Sequence, residues 1–190
     1  MNITTLAAPA AEPVGLAEAK DYLRIGYDGE DDLVARLIAG ARARVEAACG
    51  IALISRTLRV ALRRWSPGPV ETRVTRMPVR PAKALIAVRV FDVEGVGEDV
   101  TGCFSLETGR SARLVWTGGS HPWPGRRTGG IEIDYVAGFG SDADDVAAEL
   151  RLAVKRLAAH AYHARDAETL AGALPGDVAG LLAAWRRVSL

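Results

Sequence analysis

The sequence predicts an α+β fold: a small helical domain of two main antiparallel helices, an antiparallel β-rich insertion, and a C-terminal helix. Three observations predict it. Apolar residues recur at helical spacing near both ends of the chain. Between those ends the pattern changes to period two, in short runs separated by turn residues. A last helical stripe follows the break Pro175-Gly176. The chain has 190 residues, 49% hydrophobic and 25% charged, which is ordinary globular composition with enough length to bury a core.

Residues 1–13 are small, proline-spiced and aperiodic, and read as a flexible arm. Over 14–25, Leu16, Ala19 and Leu23 share a face, so a short helix is expected, with Gly15 a mediocre cap. A turn follows at Tyr27–Gly29. The clearest helix starts at Asp28 or Asp31 and carries Leu33, Leu37, Ala41, Val45 and Ala48 as its stripe, with Ile38 beside them. Asp28, Glu30, Asp31 and Asp32 cluster at its start, where the helix dipole favours negative charge. Gly50 stops it.

Leu58, Val60 and Leu62 then alternate with Arg59, Ala61 and Arg63. Further strands are expected at 71–76, 85–91, 103–106, 113–116 and 131–136, as an antiparallel sandwich or partial barrel. After Gly138-Phe139-Gly140, Asp142 or Asp144 caps a second strong helix with Val146, Leu150, Ala153, Val154, Leu157 and Ala161 inward. Residues 166–176 read as a link. Asp177 then caps a last helix that turns Val178, Leu181, Leu182, Trp185 and Val188 one way. The expected organisation is an arm over 1–13, then one domain over 14–165 with helices within 14–50 and 142–165 around an insertion over 54–138. A linker and docking helix follow over 166–190. The simplest packing sets the two long helices against each other, with the sheet projecting between them.

Charge and motifs exclude several functions. The net charge of +1 gives the whole molecule no pull on polyanions. No apolar run is long enough to span a bilayer, and the first dozen residues lack the basic start and apolar stretch of a signal peptide. Cys49 and Cys103 are too few for a disulfide framework and read as free thiols. His160 and His163 could face one way on a helix, but a metal needs more ligands than they supply. Ser120-His121 sits in a Gly/Pro/Trp-rich loop without a nucleophile motif, and the glycine pairs lack phosphate-loop spacing. The sequence therefore predicts no enzyme and no catalytic, cofactor-binding or metal-binding residues.

Residues 54–90 carry nine basic side chains and one acidic, Glu71, between two acidic flanks. Arg56, Arg59, Arg63, Arg64, Arg73, Arg76, Arg80, Lys83 and Arg89 form this basic block. It reads as a solvated sheet face, or as a face matched to acidic surface on a neighbouring subunit. The alternative is a nucleic-acid-binding module using the strand face over 56–89.

Several stretches together resemble one family. They are Pro13-Val14-Gly15-Leu16-Ala17-Glu18-Ala19-Lys20 with Tyr22-Leu23-Arg24, Asp31-Asp32-Leu33 through Ile38, Val45-Glu46 and Gly50, and Ile54-Ser55-Arg56-Thr57-Leu58. Met77-Pro78, Trp123-Pro124, Tyr135–Gly140, His160–Arg165 and Trp185-Arg186-Arg187 continue the series. Across residues 13–188 the chain resembles phage head–tail connector (adaptor) proteins. Gly15 departs from the family's usual Ser or Thr cap, and the loop over 118–130 is longer and richer in glycine.

The resemblance implies a structural protein that forms a homo-oligomeric ring of roughly twelve subunits below the portal of a tailed particle. The ring extends the DNA channel and offers a platform to the stopper or tail. DNA passes without sequence-specific binding, and no membrane is involved. The GC-rich character of the codon-linked composition suits a gene transfer agent, a phage-like particle assembled in the bacterial cytoplasm. Leu181, Leu182, Trp185, Arg186 and Arg187 are the expected portal-binding residues, because tryptophan and arginine anchor interfaces. Asp28, Asp31, Asp32, Arg59 and Arg63 are the expected subunit-interface charges.

Overall fold

The computed structural model describes residues 1–65, 74–109, 111–118, 122–164 and 173–186. The chain divides into two compact units. A helical unit combines Pro9–Ile54 with Phe139–Leu190, and a β unit combines Met1–Ala8 with Ser55–Gly138.

The helical unit holds α1 (Leu16–Leu23), α2 (Asp31–Cys49), α3 (Ala148–His163) and α4 (Gly176–Leu182), which runs into a 3₁₀ turn over Ala183–Trp185. α2 packs along α3, α1 rests on both, and α4 lies on α3. The core takes Val34, Ile38, Ala41, Val45 and Cys49 from α2, and Leu150, Ala153, Val154, Leu157 and Ala158 from α3. Val178 and Leu182 of α4 complete it. Burying each large aliphatic side chain here stabilises the fold by about 1.5–3 kcal/mol.

The inward face of α2 corrects the expected stripe. Val34 is fully buried and Leu33 is 43% exposed, while Leu37 is only partly buried. Spacings of four, three, four and four follow the helical period. A strict spacing of four drifts about 40° per step and leaves the core face.

Helix ends also differ in detail. Asp142 caps a 3₁₀ turn over Ala143–Asp145, in a reciprocal box with Asp145, and α3 begins only after it. The Asp145 carboxylate lies directly over Gly140, where any Cβ would overlap it. No helix among the described residues is long and apolar enough to cross a membrane.

In chain order the strands of the β unit are β1 (Asn2–Thr5), β2 (Arg56–Leu62), β3 (Val74–Arg76), β4 (Ala82–Phe91), β5 (Gly97–Asp99), β6 (Phe104–Glu107), β7 (Arg113–Trp116) and β8 (Ile131–Ala137). They form a five-stranded sheet, β1-β2-β8-β4-β5, and a three-stranded sheet, β3-β7-β6, with every pairing antiparallel. Alternation makes β2, β4 and β8 amphipathic: Leu58, Val60, Val88, Val90, Ile131, Ile133 and Tyr135 are all buried. Trp65, just after β2, meets Phe104 of β6 with ring centroids 5.0 Å apart.

Two strands were not expected. Asn2–Thr5 lies in the segment read as a flexible arm, yet it pairs with β2, Asn2 opposite Ala61 and Thr5 opposite Leu58. Its side chains are all exposed, so backbone hydrogen bonds hold it and no apolar pattern announces it. β5 is similar: Gly97–Asp99 is wholly exposed and follows the register of β4. Residues 71–73 of the expected strand over 71–76, and the link over 166–172, lie outside the described residues.

Candidate functional site

The basic strand face is the first place where charge is concentrated, and the sheet register decides what that charge can do. β8 is central and carries Glu132 and Asp134 on the face opposite its buried isoleucines. Arg59 of β2 lies directly across from Asp134 and grips it through both Oδ atoms, at 2.7 and 2.8 Å. A third contact runs from Arg59 to Glu132 at 3.1 Å. From the other side, Arg89 of β4 reaches Asp134 Oδ2 at 3.1 Å. The Arg59 hydrogen bonds hold the Asp134 carboxyl below its usual range, against a burial that opposes them, and Arg89 adds to the effect. The same pair raises the Arg59 guanidinium.

Arg59 and Arg89 are thus neutralised within the sheet, which speaks against a phosphate-binding stripe built on them. Arg63, one residue past β2, is exposed, as are Arg76 and Lys83. Arg73 lies outside the described residues.

The acidic cluster at the start of α2 is partly spent in the same way. Lys20 of α1 donates to Asp28 and Asp31, each at 2.6 Å, and its ammonium pKa is raised by those bonds. Asp32 is exposed. The Tyr162 hydroxyl donates to Glu30, and that bond is the main reason its pKa is pushed up to about 12. The structure therefore brings Arg59 to Asp134, and Asp28 and Asp31 to Lys20. Asp32 and Arg63 keep their charges at the surface.

At the C-terminal end, the expectation of an open apolar face is corrected. Val178 and Leu182 are fully buried in the helical unit's own core. Leu181 and Trp185 pack against that core, and Trp185 meets Phe139 edge to face at 5.5 Å. A helix this short gains its stability from such packing, so its apolar side turns inward. Arg186 is exposed, while Arg187 and Val188 lie outside the described residues.

A cleft of about 400 Å³ is lined by Tyr22, Arg156, His160, His163 and Asp177. Asp177 sits 3.2 Å from His160 Nε2 and 3.5 Å from Arg156. Burial pushes the Asp177 carboxyl up, but His160 and the Val178 N–H outweigh it and hold it low. Among the described residues no group of three His, Cys, Asp or Glu side chains could hold a metal. The cleft has a charge pair that fastens α4 to α3, and nothing arranged as nucleophile and base. Ser120 and His121 lie outside the described residues.

Two surface features were missed by sequence reasoning. The β4–β5 hairpin projects Val93 and Val96, 81% and 64% exposed, beside Glu94 and Glu98. On the helical unit, a groove of about 300 Å³ runs between α2 and α3, floored by Leu37, Ala41, Leu157 and Ala161, with Arg36 and Arg44 alongside. The exposed valines and the surplus leucines of α2 were visible as residues. Only the fold shows that neither set enters its own core.

No protein-family model and no curated protein matches the chain. Solved structures do. The chain is similar to a protein in the neck of an empty GTA particle computed with C6 symmetry, at 30% identity and a TM-score of 0.85, covering 100% of this chain and 97% of that one. It is similar to a chain of the virion of a native gene transfer agent (GTA) particle, at 29% identity and 0.84, with the same coverage. A third likeness, at 30% identity and 0.81 and again 100% and 97% coverage, is to the neck of a native GTA particle computed with C12 symmetry. These are structural components of particles and not enzymes.

Proposed function

We infer that this chain, which belongs to the family of neck proteins of gene transfer agent particles, is the structural head–tail connector, or adaptor, of such a particle. The observation that carries the reading is the likeness over the full length of both chains, helical unit and β insertion together. Copies form a ring below the portal in the particle neck. The ring extends the DNA channel and joins the tail or its stopper. The C6 and C12 symmetries of the related necks support a symmetric ring. Assembly takes place in the bacterial cytoplasm.

The internal ion pairs of the sheet support a lumen that does not grip DNA: Arg59 and Arg89 are already held by Asp134, so a passing duplex meets little unpaired charge from them. Exposed Asp32 and Arg63 remain available for contacts between copies, and Arg186 for the portal. Leu181, Leu182 and Trp185 serve the portal contact indirectly, by holding α4 on its own core so that Arg186 is presented.

The test is to produce particles without this chain and image them. DNA-filled heads without tails are expected, and normally tailed particles overturn the reading. Arg186→Glu refines it: the variant folds normally and joins heads at least tenfold less often. Truncation at residue 176 is a poorer test, because it strips the buried Val178 and Leu182 from the core.

A further inference from the structure

We propose that the acidic β4–β5 hairpin of one copy seats in the α2–α3 groove of the next copy, as a subunit contact of the ring. The inference rests on the ring reading and adds to it the surfaces that meet.

The hairpin has the form of an inserted element. Two bare valines stand at its tip, and residues 90–99 hold Asp92, Glu94, Glu98 and Asp99 with no basic residue among them. The tip is held in shape without a partner. Asp92 Oδ1 accepts from the N–H groups of Glu94 and Val96, both at 2.9 Å, and the Asp92 N–H donates to the Val96 carbonyl at 3.1 Å. Gly95 supplies the turn at φ +89°. Arg126 lies over the Phe91 ring at 5.3 Å, at the base of the hairpin. A tip already ordered loses little entropy on docking, so its exposed valines convert more fully into affinity.

The groove has the complementary form. Its floor is apolar, it has room for about one or two side chains, and Arg36 and Arg44 stand beside it. The Arg36 Nε–H donates to the Asp32 carbonyl at 3.1 Å, which steers the side chain along α2. Valines meet the floor while Glu94 and Glu98 meet the arginines, so apolar and charged parts match together.

Gly40 is the independent observation. It lies in the middle of α2, in the groove, and a Cβ there would meet nothing within 4 Å. Glycine weakens a helix interior relative to alanine, and nothing among the described residues requires it here. A neighbour lying close against the helix does. The two surfaces are different patches of one chain, so the contact is head-to-tail, the kind that closes into a ring.

The experiment uses particles carrying the full-length chain with Ala161→Cys, in the groove, and Val96→Cys together, oxidised and run without reductant. A ladder of multiples of this chain is expected, absent from either single variant; native Cys49 is buried and Cys103 partly so. Arg36→Glu with Arg44→Glu should cut ring formation at least tenfold, and adding Glu94→Arg with Glu98→Arg should restore it. A ring imaged in the neck without the ladder overturns the contact and leaves the ring reading standing. Cross-linking of the groove cysteine to a different neck protein also overturns it. Absence of this chain from the neck overturns the ring reading, and the contact with it.

Discussion

Among the described residues, the helical unit buries the carboxylate of Glu46 and the β unit that of Asp134. Glu46 is held locally. Its Oε1 accepts the Leu53 N–H at 2.8 Å, and its Oε2 accepts from Arg42, one turn away, at 3.1 Å. Arg42 in turn reaches Glu12 at 2.8 Å. The whole arrangement fastens the turn after α2 to the helix it leaves. Asp134 is held by arginines 75 and 45 residues distant in the chain, one on each neighbouring strand. The first carboxylate closes a turn; the second ties three strands into register. Loss of the second should therefore cost more.

Asp134→Ala is expected to have the largest effect. It leaves Arg59 and Arg89 facing each other across an empty position, at a cost of about 3 kcal/mol to the β unit. Chemical denaturation at neutral pH measures it, and a cost no larger than that of the Glu46→Ala variant breaks the comparison. Glu46→Ala comes next, at about 2 kcal/mol, because the buried Leu53 N–H loses its acceptor. Glu46→Gln should recover about half of that loss, since an amide oxygen can still accept.

Acid sharpens the same contrast. The Asp134 carboxyl lies below its ordinary value of 3.8 when folded. Its contribution is therefore fully present above that ordinary value and is lost as pH falls through the lower, folded one. Denaturation midpoints measured from about pH 6 down to about pH 2 should fall for the native chain and fall less steeply for Asp134→Asn. Equal slopes would remove Asp134 from the account. The smallest expected change has the opposite sign: Gly40→Ala stabilises α2 by about 0.5–1 kcal/mol, seen as a raised melting temperature, while weakening assembly.

The residues explain which parts of this arrangement were legible in the sequence. The strands β2 and β8 were, because Leu58, Val60, Ile131 and Ile133 alternate with polar neighbours and are all buried. The long helices were, through their apolar stripes and the Gly50 stop, although their expected aspartate caps do not cap them and α2 carries more apolar surface than its core uses. Leu33 and Leu37 belong to that surplus, and Leu37 ends in the groove floor. β1 and β5 were not legible, since wholly exposed strands are specified by their partners' backbones. The basic block was visible as composition, but its neutralisation was not. Whether Arg59 faces Asp134 or water depends on a register that no local spacing encodes. The C-terminal stripe was legible as a helix and misleading as a surface, because a free face and a face packed on its own core read alike.

The central claim is that copies of this chain form the connecting ring of a particle neck. A symmetric reconstruction of the neck from the particles that this chain helps to build tests it most directly. The account predicts a closed ring of this chain between portal and tail, with each β4–β5 hairpin lying at the α2–α3 groove of the adjacent copy. A neck built without this chain, or single copies of it bound apart from one another, would contradict it.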